Sequence, residues 1–254
     1  MSVIINSVDR ALDILIYLYN EGKETSITKM SEDLKIYKST VYRTLATLEA
    51  KNFVAKNPET EKYSLGTKLF IIGTSIGERM GIQKIIKPFA KQLHEEFNET
   101  VNISILERND MDIYRSVIIH KEENNQILRF NSEVGSRNDC HCAAVGKCLL
   151  EFSDHIDLSI YEDHPMIKYT ERTITTLDGL KAELEMVRQN GYAMDDEERE
   201  LGLTCLGAPI IKNKKYAVAA ISLSGPTFRI KDETFAYKIQ RLCEIAKEIS
   251  KNMD

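Results

Sequence analysis

Residues 26–49 read SITKMSEDLKIYKSTVYRTLATLE, and this stretch decides the fold of the first part of the chain. Apolar residues recur in it at three- and four-residue spacing, as on one face of a helix: Ile27, Met30, Leu34, Val41, Leu45 and Leu48. The other face of the second half carries hydroxyls and cations: Lys38, Ser39, Thr40, Arg43, Thr44 and Thr47. Such side chains suit phosphates and base edges. The pattern predicts a helix-turn-helix whose second helix contacts DNA.

The flanking residues extend this prediction to a winged helix. An upstream apolar stripe predicts a third helix that covers the other two: Val8, Ala11, Leu12, Leu15 and Leu18. Downstream, two short alternating segments at 52–54 and 63–65 are separated by the turn-forming cluster Asn57-Pro58-Glu59-Thr60. Lys62 follows this turn, where a wing residue can reach a phosphate. We therefore expect Lys38 and Lys62 at phosphates, and Ser39, Thr40, Arg43 and Thr44 at bases or nearby phosphates.

Six motifs, in order along the chain, resemble those of the IclR family of transcriptional regulators. They are SVDRALDIL (7–15), YKSTVYRTLATLE (37–49), FVAKNPETEKYSLGTKLFIIG (53–73), HCAAVGKCLL (141–150), GYAMDDEERELGLTCLGAPI (191–210) and AAISLSGP (219–226). The resemblance implies a winged helix-turn-helix domain over residues 1–65, a linker helix over 66–80, and an effector-binding and oligomerisation domain with a GAF-like fold over 81–254.

Periodicity in the second domain predicts a mixed domain with an antiparallel sheet. Helical spacing covers residues 83–97, 144–152, 177–190 and 231–250, and Gly191 is a plausible helix C-cap. Alternating or continuous apolar segments predict strands at 101–105, 111–119, 126–130, 204–211 and 216–223. The fold class is therefore α+β, with a mainly helical first domain and a second domain of sheet and helices.

Composition and charge agree with a cytoplasmic regulator. The 254 residues are 43% hydrophobic with a net charge of −5, and no apolar run approaches the roughly 20 residues that span a bilayer. Residues 1–68 hold ten basic and nine acidic side chains, so the acidic excess lies in the second domain. The second domain is therefore not expected to bind DNA directly. The five cysteines in a chain without a secretory signal are expected to be reduced thiols.

The resemblance places a small-ligand pocket in the second domain. Its implied residues are Ala143, Ala144, Val145, Asp195, Cys205, Ser222 and Ser224. Alternate strand residues share a face, so the two serines project together. A helix that opens near Ala143 would present free N–H groups and a positive dipole end to an anion. A small organic acid, most simply a carboxylate, is the favoured effector, and no cofactor is expected.

Two alternatives use the cysteines. Cys140, His141 and Cys142, with Cys205 as a fourth ligand, could hold a metal ion, although adjacent ligands rarely bind one ion together. The same thiols could sense oxidants, because a thiolate near a helix N-terminus has a lowered pKa. Catalysis by Cys205 beside the carboxylates at 195–198 would need a base near the sulfur, and the sequence places none there. We therefore expect neither an enzyme nor a metal site.

The predicted mechanism is allosteric control of operator binding. A homodimer or homotetramer would place two recognition helices in major grooves about one helical turn apart, roughly 34–36 Å, or a multiple of that distance. An effector would act by binding one arrangement more tightly than another. Lys35 stands in the helix-turn-helix turn, where a left-handed backbone would cost roughly 1–2 kcal/mol for a residue with a side chain.

Overall fold

The structure is a computed structural model that describes residues 4–80, 82–107, 113–123, 126 and 133–253. The chain divides into two compact units, Met1–Met80 and Gly81–Asp254. Within the described residues, none of the helices has both the length and the apolar character needed to cross a membrane.

The first unit is a winged helix. Its elements are α1 (Asn6–Glu21), α2 (Ile27–Asp33), α3 (Lys38–Ala50), β1 (Val54–Lys56), β2 (Tyr63–Leu65) and α4 (Thr67–Met80). Strands β1 and β2 pair antiparallel as the wing. The stripes predicted on α2 and α3 meet in one core, which includes Met30, Val41 and Leu45, each fully buried. The stripe predicted on α1 was only partly correct: Leu18 is buried and Leu15 packs against this core, but Val8 and Leu12 are exposed, because α1 turns Ile14 rather than these two residues toward the core. The wing joins this core through Tyr63.

The turn between α2 and α3 contains the predicted irregularity. Lys35 has a φ of 55°, in the left-handed region that a side chain disfavours. The Ser31 hydroxyl donates a hydrogen bond of 2.6 Å to the carbonyl of Ile36 and so holds the turn from the preceding helix. The Ser26 hydroxyl caps α2 by accepting from the N–H of Lys29 at 3.3 Å.

The second unit contains a six-stranded antiparallel sheet in the order β5-β4-β3-β8-β7-β6. In chain order its strands are β3 (Thr100–Glu107), β4 (Arg115–Glu122), β5 (Arg137–Asp139), β6 (Ala193–Asp196), β7 (Leu203–Lys212) and β8 (Tyr216–Pro226). The helices are α5 (Ile82–Phe97), α6 (Ala144–Phe152), α7 (Ile160–Asp163), α8 (Leu177–Asn190), α9 (Thr227–Ile230) and α10 (Phe235–Lys251). The predicted α+β class is confirmed.

The two faces of the sheet meet different layers. Helices α5 and α10 pack on one face against Ile103, Leu206 and Ile221. Helix α6 covers the other face with Val145, Cys148 and Leu149 and is itself packed against α8. The cavity described below lies on this second face.

Several predicted boundaries were close and one was not. The helices at 144–152 and 177–190 occur at the predicted residues, and Gly191 ends α8 with a φ of 75°. The closing helix was predicted to begin at Lys231 but begins at Phe235, because Asp232 accepts the N–H of Thr234 at 2.8 Å and forms a turn there. The strand predicted at 126–130 lies outside the described residues except for Gln126, and so does the start of the strand predicted at 111–119, which the structure shows from Arg115.

Candidate functional site

Helix α3 exposes the polar face that the sequence predicted. Val41 and Leu45 point into the core, while Lys38, Ser39, Arg43 and Thr47 are exposed. Thr40 and Thr44 are partly buried on the same helix. Within the described part of the chain, neither Lys38 nor Arg43 forms an ion pair, so both cations are available to an external anion.

A cleft between α1 and α3 adds a residue that the sequence analysis missed. It is lined by Arg10 and Ser7 of α1 and by Thr40, Arg43 and Thr44 of α3, among others. Arg10 is exposed and makes no ion pair with any residue that the structure describes. Arg10 was not predicted because only the apolar stripe of α1 was considered. The presence of an arginine on the polar side of that helix was the signal that could have identified it.

Glu24 holds the turn of the wing. The carboxylate of Glu24 accepts hydrogen bonds from Asn57 Nδ2 at 2.8 Å and from the Thr60 hydroxyl at 3.0 Å. These hydrogen bonds hold the pKa of Glu24 below its usual value. Lys56 forms an ion pair with Glu61 across the turn. Lys62 is left exposed at the end of the wing.

In the second unit, all seven residues implied for the pocket line one cavity. They are Ala143, Ala144, Val145, Asp195, Cys205, Ser222 and Ser224. The cavity also has polar lining that the sequence analysis missed: Asn102, Ser104, Asn138 and Arg199. Its volume is about 30 Å³, which is room for about two waters.

Strand pairing brings the distant lining residues together. Asp195 pairs with Cys205, and Cys205 pairs with Ser224, so three neighbouring strands place these side chains in one row. Ser222 pairs with Asn102 on the other side of β8. Alternation sends Ile221 and Leu223 to the opposite face, where both are fully buried.

Gly207 allows helix α6 to begin directly on the sheet. A side-chain carbon at Gly207 would lie 2.8 Å from the backbone carbonyl carbon of Ala144 and 3.0 Å from the backbone nitrogen of Val145. Helix α6 begins after Ala143 without a side-chain cap, so the first N–H groups have no partner within the helix. The cavity therefore has backbone donors at its edge.

The carboxyl group of Asp195 is held inside the protein. Oδ1 accepts the N–H of Glu198 at 2.8 Å and that of Arg199 at 3.3 Å. Burial raises the pKa of Asp195 from 3.8 to about 7, which the hydrogen bonds only partly offset. Near neutral pH a substantial fraction of this group is uncharged.

Lys147 lies behind the cavity and is fully buried. Its ammonium donates to Glu183 at 2.9 Å, to the carbonyl of Met194 at 2.9 Å, and to Glu198. Burial opposes the charged form, but the carboxylates of Glu198 and Glu183 outweigh it and raise the pKa of Lys147. This ion triad fixes the segment that carries Asp195 and Arg199 against α6.

The cysteine alternatives do not fit the geometry. Among the described residues, no group of three or more histidine, cysteine and carboxylate side chains is arranged to hold a metal. Burial raises the pKa of Cys142 to about 12 and raises those of Cys140 and Cys205 further. The expectation of a lowered thiol pKa was wrong, because the desolvation of these thiols exceeds the effect of the nearby helix end. The Nε2–H of His141 donates a hydrogen bond to the Ile167 carbonyl, 3.0 Å away.

Comparisons with known proteins agree with this architecture. Residues 7–58 match the IclR helix-turn-helix domain, and residues 74–251 match the model described as bacterial transcriptional regulator IclR C-terminal. The HTH-type transcriptional regulator KdgR of Escherichia coli is 34% identical over 250 residues, covering 98% of this chain and 93% of that protein.

Solved structures show the same fold over nearly the whole chain. The IclR of Thermotoga maritima has a TM-score of 0.77 at 30% identity, covering 98% of each chain. An IclR homolog of Microbacterium hydrocarbonoxydans, solved in complex with 4-hydroxybenzoate, has a TM-score of 0.80 at 16% identity, covering 96% of this chain and 98% of that one. At that identity the likeness shows the fold alone. Together, the two domain matches and the full-length relatives show that this chain belongs to the IclR family of DNA-binding transcriptional regulators.

Proposed function

We propose that the protein binds its operator through the polar face of α3 and that a small organic acid in the cavity of the second unit modulates this binding. The observation that carries the proposal is the chemistry of that cavity. It combines serine hydroxyls, the start of helix α6 and the Arg199 guanidinium around a space of about 30 Å³. Compact acids of two or three carbons are proposed because, among organic acids, they require the least enlargement of this space.

The DNA-binding residues follow from exposure and charge. Ser39, Thr40, Arg43 and Thr44 are proposed at base edges or nearby phosphates, with Lys38, Thr47 and Lys62 beside them. Arg10 joins this set because it shares a cleft with Arg43. Free cations on one helix and its neighbour supply the sequence-independent attraction to phosphates.

A symmetric dimer is proposed from an unpartnered apolar stripe on α1. Val8, Leu12, Ile16 and Tyr19 recur along one face, and each is more than half exposed. Exposed apolar stripes of this kind typically mark contacts between proteins. Pairing with the same stripe of a second copy would bury them and present two recognition helices, as a two-fold operator requires. A tetramer would add a contact between second units.

The test measures DNA binding with and without a candidate effector. Fragments of the region upstream of the protein's own gene would be titrated by fluorescence anisotropy in the presence of glycolate, lactate or pyruvate. We expect one acid to change the Kd for a specific fragment by about 5- to 150-fold, as an allosteric coupling of 1–3 kcal/mol would.

Ser222→Ala is the matched variant. It should bind the operator with unchanged affinity and lose the response to the acid, because Ser222 lines the cavity and is remote in sequence from α3. Operator binding that none of the acids changes would contradict modulation by this ligand class. An unchanged response in the Ser222→Ala variant would instead contradict the assignment of this cavity.

A further inference from the structure

Arg199 has an unusual environment for a buried arginine. Its side chain is about two-thirds buried and lines the cavity. Its guanidinium carbon lies 3.9 Å from the centre of the Tyr169 ring. The Nη1 atom is buried and has no hydrogen-bond acceptor among the residues that the structure describes. Oδ2 of Asp139 is 3.5 Å away, an ion-pair distance that is too long for a good hydrogen bond.

Asp139 shares its carboxylate among three neighbours, of which Arg199 is the most distant. Arg115 forms an ion pair with it, and the hydroxyl of Tyr169 donates a hydrogen bond to it. One carboxylate thus faces two guanidinium groups and a phenol. A buried donor without an acceptor is destabilising by roughly 1–3 kcal/mol, and more when it is charged. An anion that reached Nη1 of Arg199 from the cavity would therefore be bound favourably.

A second unpartnered donor lies in the same cavity. Ser104 is fully buried and lines the space, and its hydroxyl has no hydrogen-bond partner among the described residues. Ala144 and Val145, the first residues of α6, line it too, and the first N–H groups of a helix have no partner within that helix. Asp195 is the other charged group in the lining, and burial raises its pKa to about 7. When Asp195 is uncharged, the Arg199 guanidinium gives the cavity lining a net positive charge.

Resting on the proposed function, we infer that Arg199 is the specificity-determining residue of the cavity, which pairs with the carboxylate of the acid and excludes its neutral analogues. Arginine suits this role because its planar donors match a carboxylate in a bidentate arrangement. The Ser104 hydroxyl and the α6 donors serve the remaining oxygen atoms. The ligand class is a compact monocarboxylate with a hydroxyl or oxo group beside the acid.

The binding of this carboxylate also affects the segment around Tyr169. That segment is tied to the Arg199 loop, since the Thr170 and Thr173 hydroxyls donate to the carbonyls of Glu197 and Glu198 at 2.7 and 2.6 Å. A ligand that takes the guanidinium weakens its ion pair with Asp139. The cavity and this segment therefore respond to the same event.

The experiment compares acids with their amides on the full-length protein by isothermal titration calorimetry. The probes are glycolate, lactate and pyruvate, each paired with its amide, and inorganic phosphate. We expect an acid to bind wild-type protein, its amide to bind at least tenfold more weakly, and Arg199→Met to lose roughly 10- to 150-fold in affinity for the acid, as the loss of a charge-assisted hydrogen bond predicts. Arg199→Lys should retain part of the affinity, because it keeps the charge without the planar donors.

Two controls make the outcome decisive. Arg188→Met removes an exposed arginine whose partners are Glu151 and Glu185, and it should bind as wild type does. Arg199→Met should fold, because Asp139 keeps Arg115 and Tyr169, and its melting temperature reports this directly. Equal binding of acid and amide, or of phosphate and acid, would overturn the inference.

The inference can also fail separately from the proposed function. If Arg199→Met binds the acid as wild type does while Ser222→Ala does not, the assignment of the cavity as the binding site is supported and the role proposed for Arg199 is contradicted. If no acid binds wild-type protein at millimolar concentration, both are contradicted.

Discussion

The polar face of α3 in the first unit and the cavity of the second unit place charged side chains in opposite environments. Lys38 and Arg43 are exposed and form no ion pair within the described part of the chain, so water solvates them until a phosphate replaces it. Arg199, Lys147 and Asp195 are largely buried and are held by neighbouring groups. Substitution of the exposed cations on α3 is therefore expected to leave the free energy of unfolding nearly unchanged. The charged residues at the cavity belong to the core, so their substitution is expected to change the free energy of unfolding as well.

The largest expected effect comes from breaking the buried triad. Lys147→Met leaves the carboxylates of Glu183 and Glu198 without their ammonium partner, and loss of one member of a buried ion pair typically destabilises by about 3–5 kcal/mol. Urea denaturation, followed by a spectroscopic signal from the second unit, measures this loss of stability. Lys181→Met, at an exposed position on α8, should change stability by less than about 0.5 kcal/mol. A loss below about 1 kcal/mol for Lys147→Met would show that the triad contributes little.

The pH dependence of the cavity sharpens the same contrast. The pKa of Asp195 is about 7 in the folded protein against a usual 3.8, so the folded state holds a proton that the unfolded state releases between these values. Stability contributed by this group is therefore full below about pH 4 and is lost as the pH rises to about 7, by at most about 4 kcal/mol. The charged groups that act on it are Lys147 from α6 and Glu198 from the following loop.

Asp195→Asn provides the measurement. The variant keeps an oxygen for the N–H groups of Glu198 and Arg199 and removes the titration. The difference in unfolding free energy between wild type and variant, followed from pH 4 to 8, should change in favour of the variant and become constant above about pH 7.5. A difference that is independent of pH would mean that Asp195 is ionised throughout.

On the exposed surface, binding and stability should separate. Arg43→Ala should weaken specific operator binding by about 1–3 kcal/mol, or roughly 10- to 150-fold, while the unfolding free energy changes by less than about 0.5 kcal/mol. Anisotropy titrations at two salt concentrations, with thermal unfolding of the same samples, test both parts. Lys23→Ala, at an exposed cation in the α1–α2 connection, is the control. Wild-type affinity in a folded Arg43→Ala variant would remove Arg43 from the interface.

The smallest expected effect lies in the helix-turn-helix turn. Lys35→Gly should stabilise the first unit by up to about 1 kcal/mol, because glycine adopts the observed φ of 55° without a side-chain clash. Thermal unfolding detects such a change. Lys51→Gly, at the C-cap of α3 where φ is −104°, has no such strain to relieve and should not stabilise.

Local pattern was sufficient for much of the fold because each helix of the first unit has its own apolar stripe. The α6 and α8 boundaries followed from helical periodicity and, for α8, from a glycine cap. The start of α10 did not follow from helical periodicity, because the turn made by Asp232 competes with the helix for the same backbone groups. The resemblance identified seven cavity residues, but it gave no reason to single out Arg199, which follows a run of carboxylates and reads as a solvated surface residue.

The sequence alone determined helix α3 and its polar face, because a surface helix shows its apolar and polar faces in its own spacing. It also determined that Ser222 and Ser224 share a face, because alternation along a strand is local. Only the tertiary structure decided that Asp195, Cys205 and Ser224 form one row and that Gly207 admits the start of α6. It alone also decided that Nη1 of Arg199 is buried without a hydrogen-bond acceptor among the residues that the structure describes. These facts depend on strand order and on contacts between residues far apart in the chain, and no local pattern encodes them.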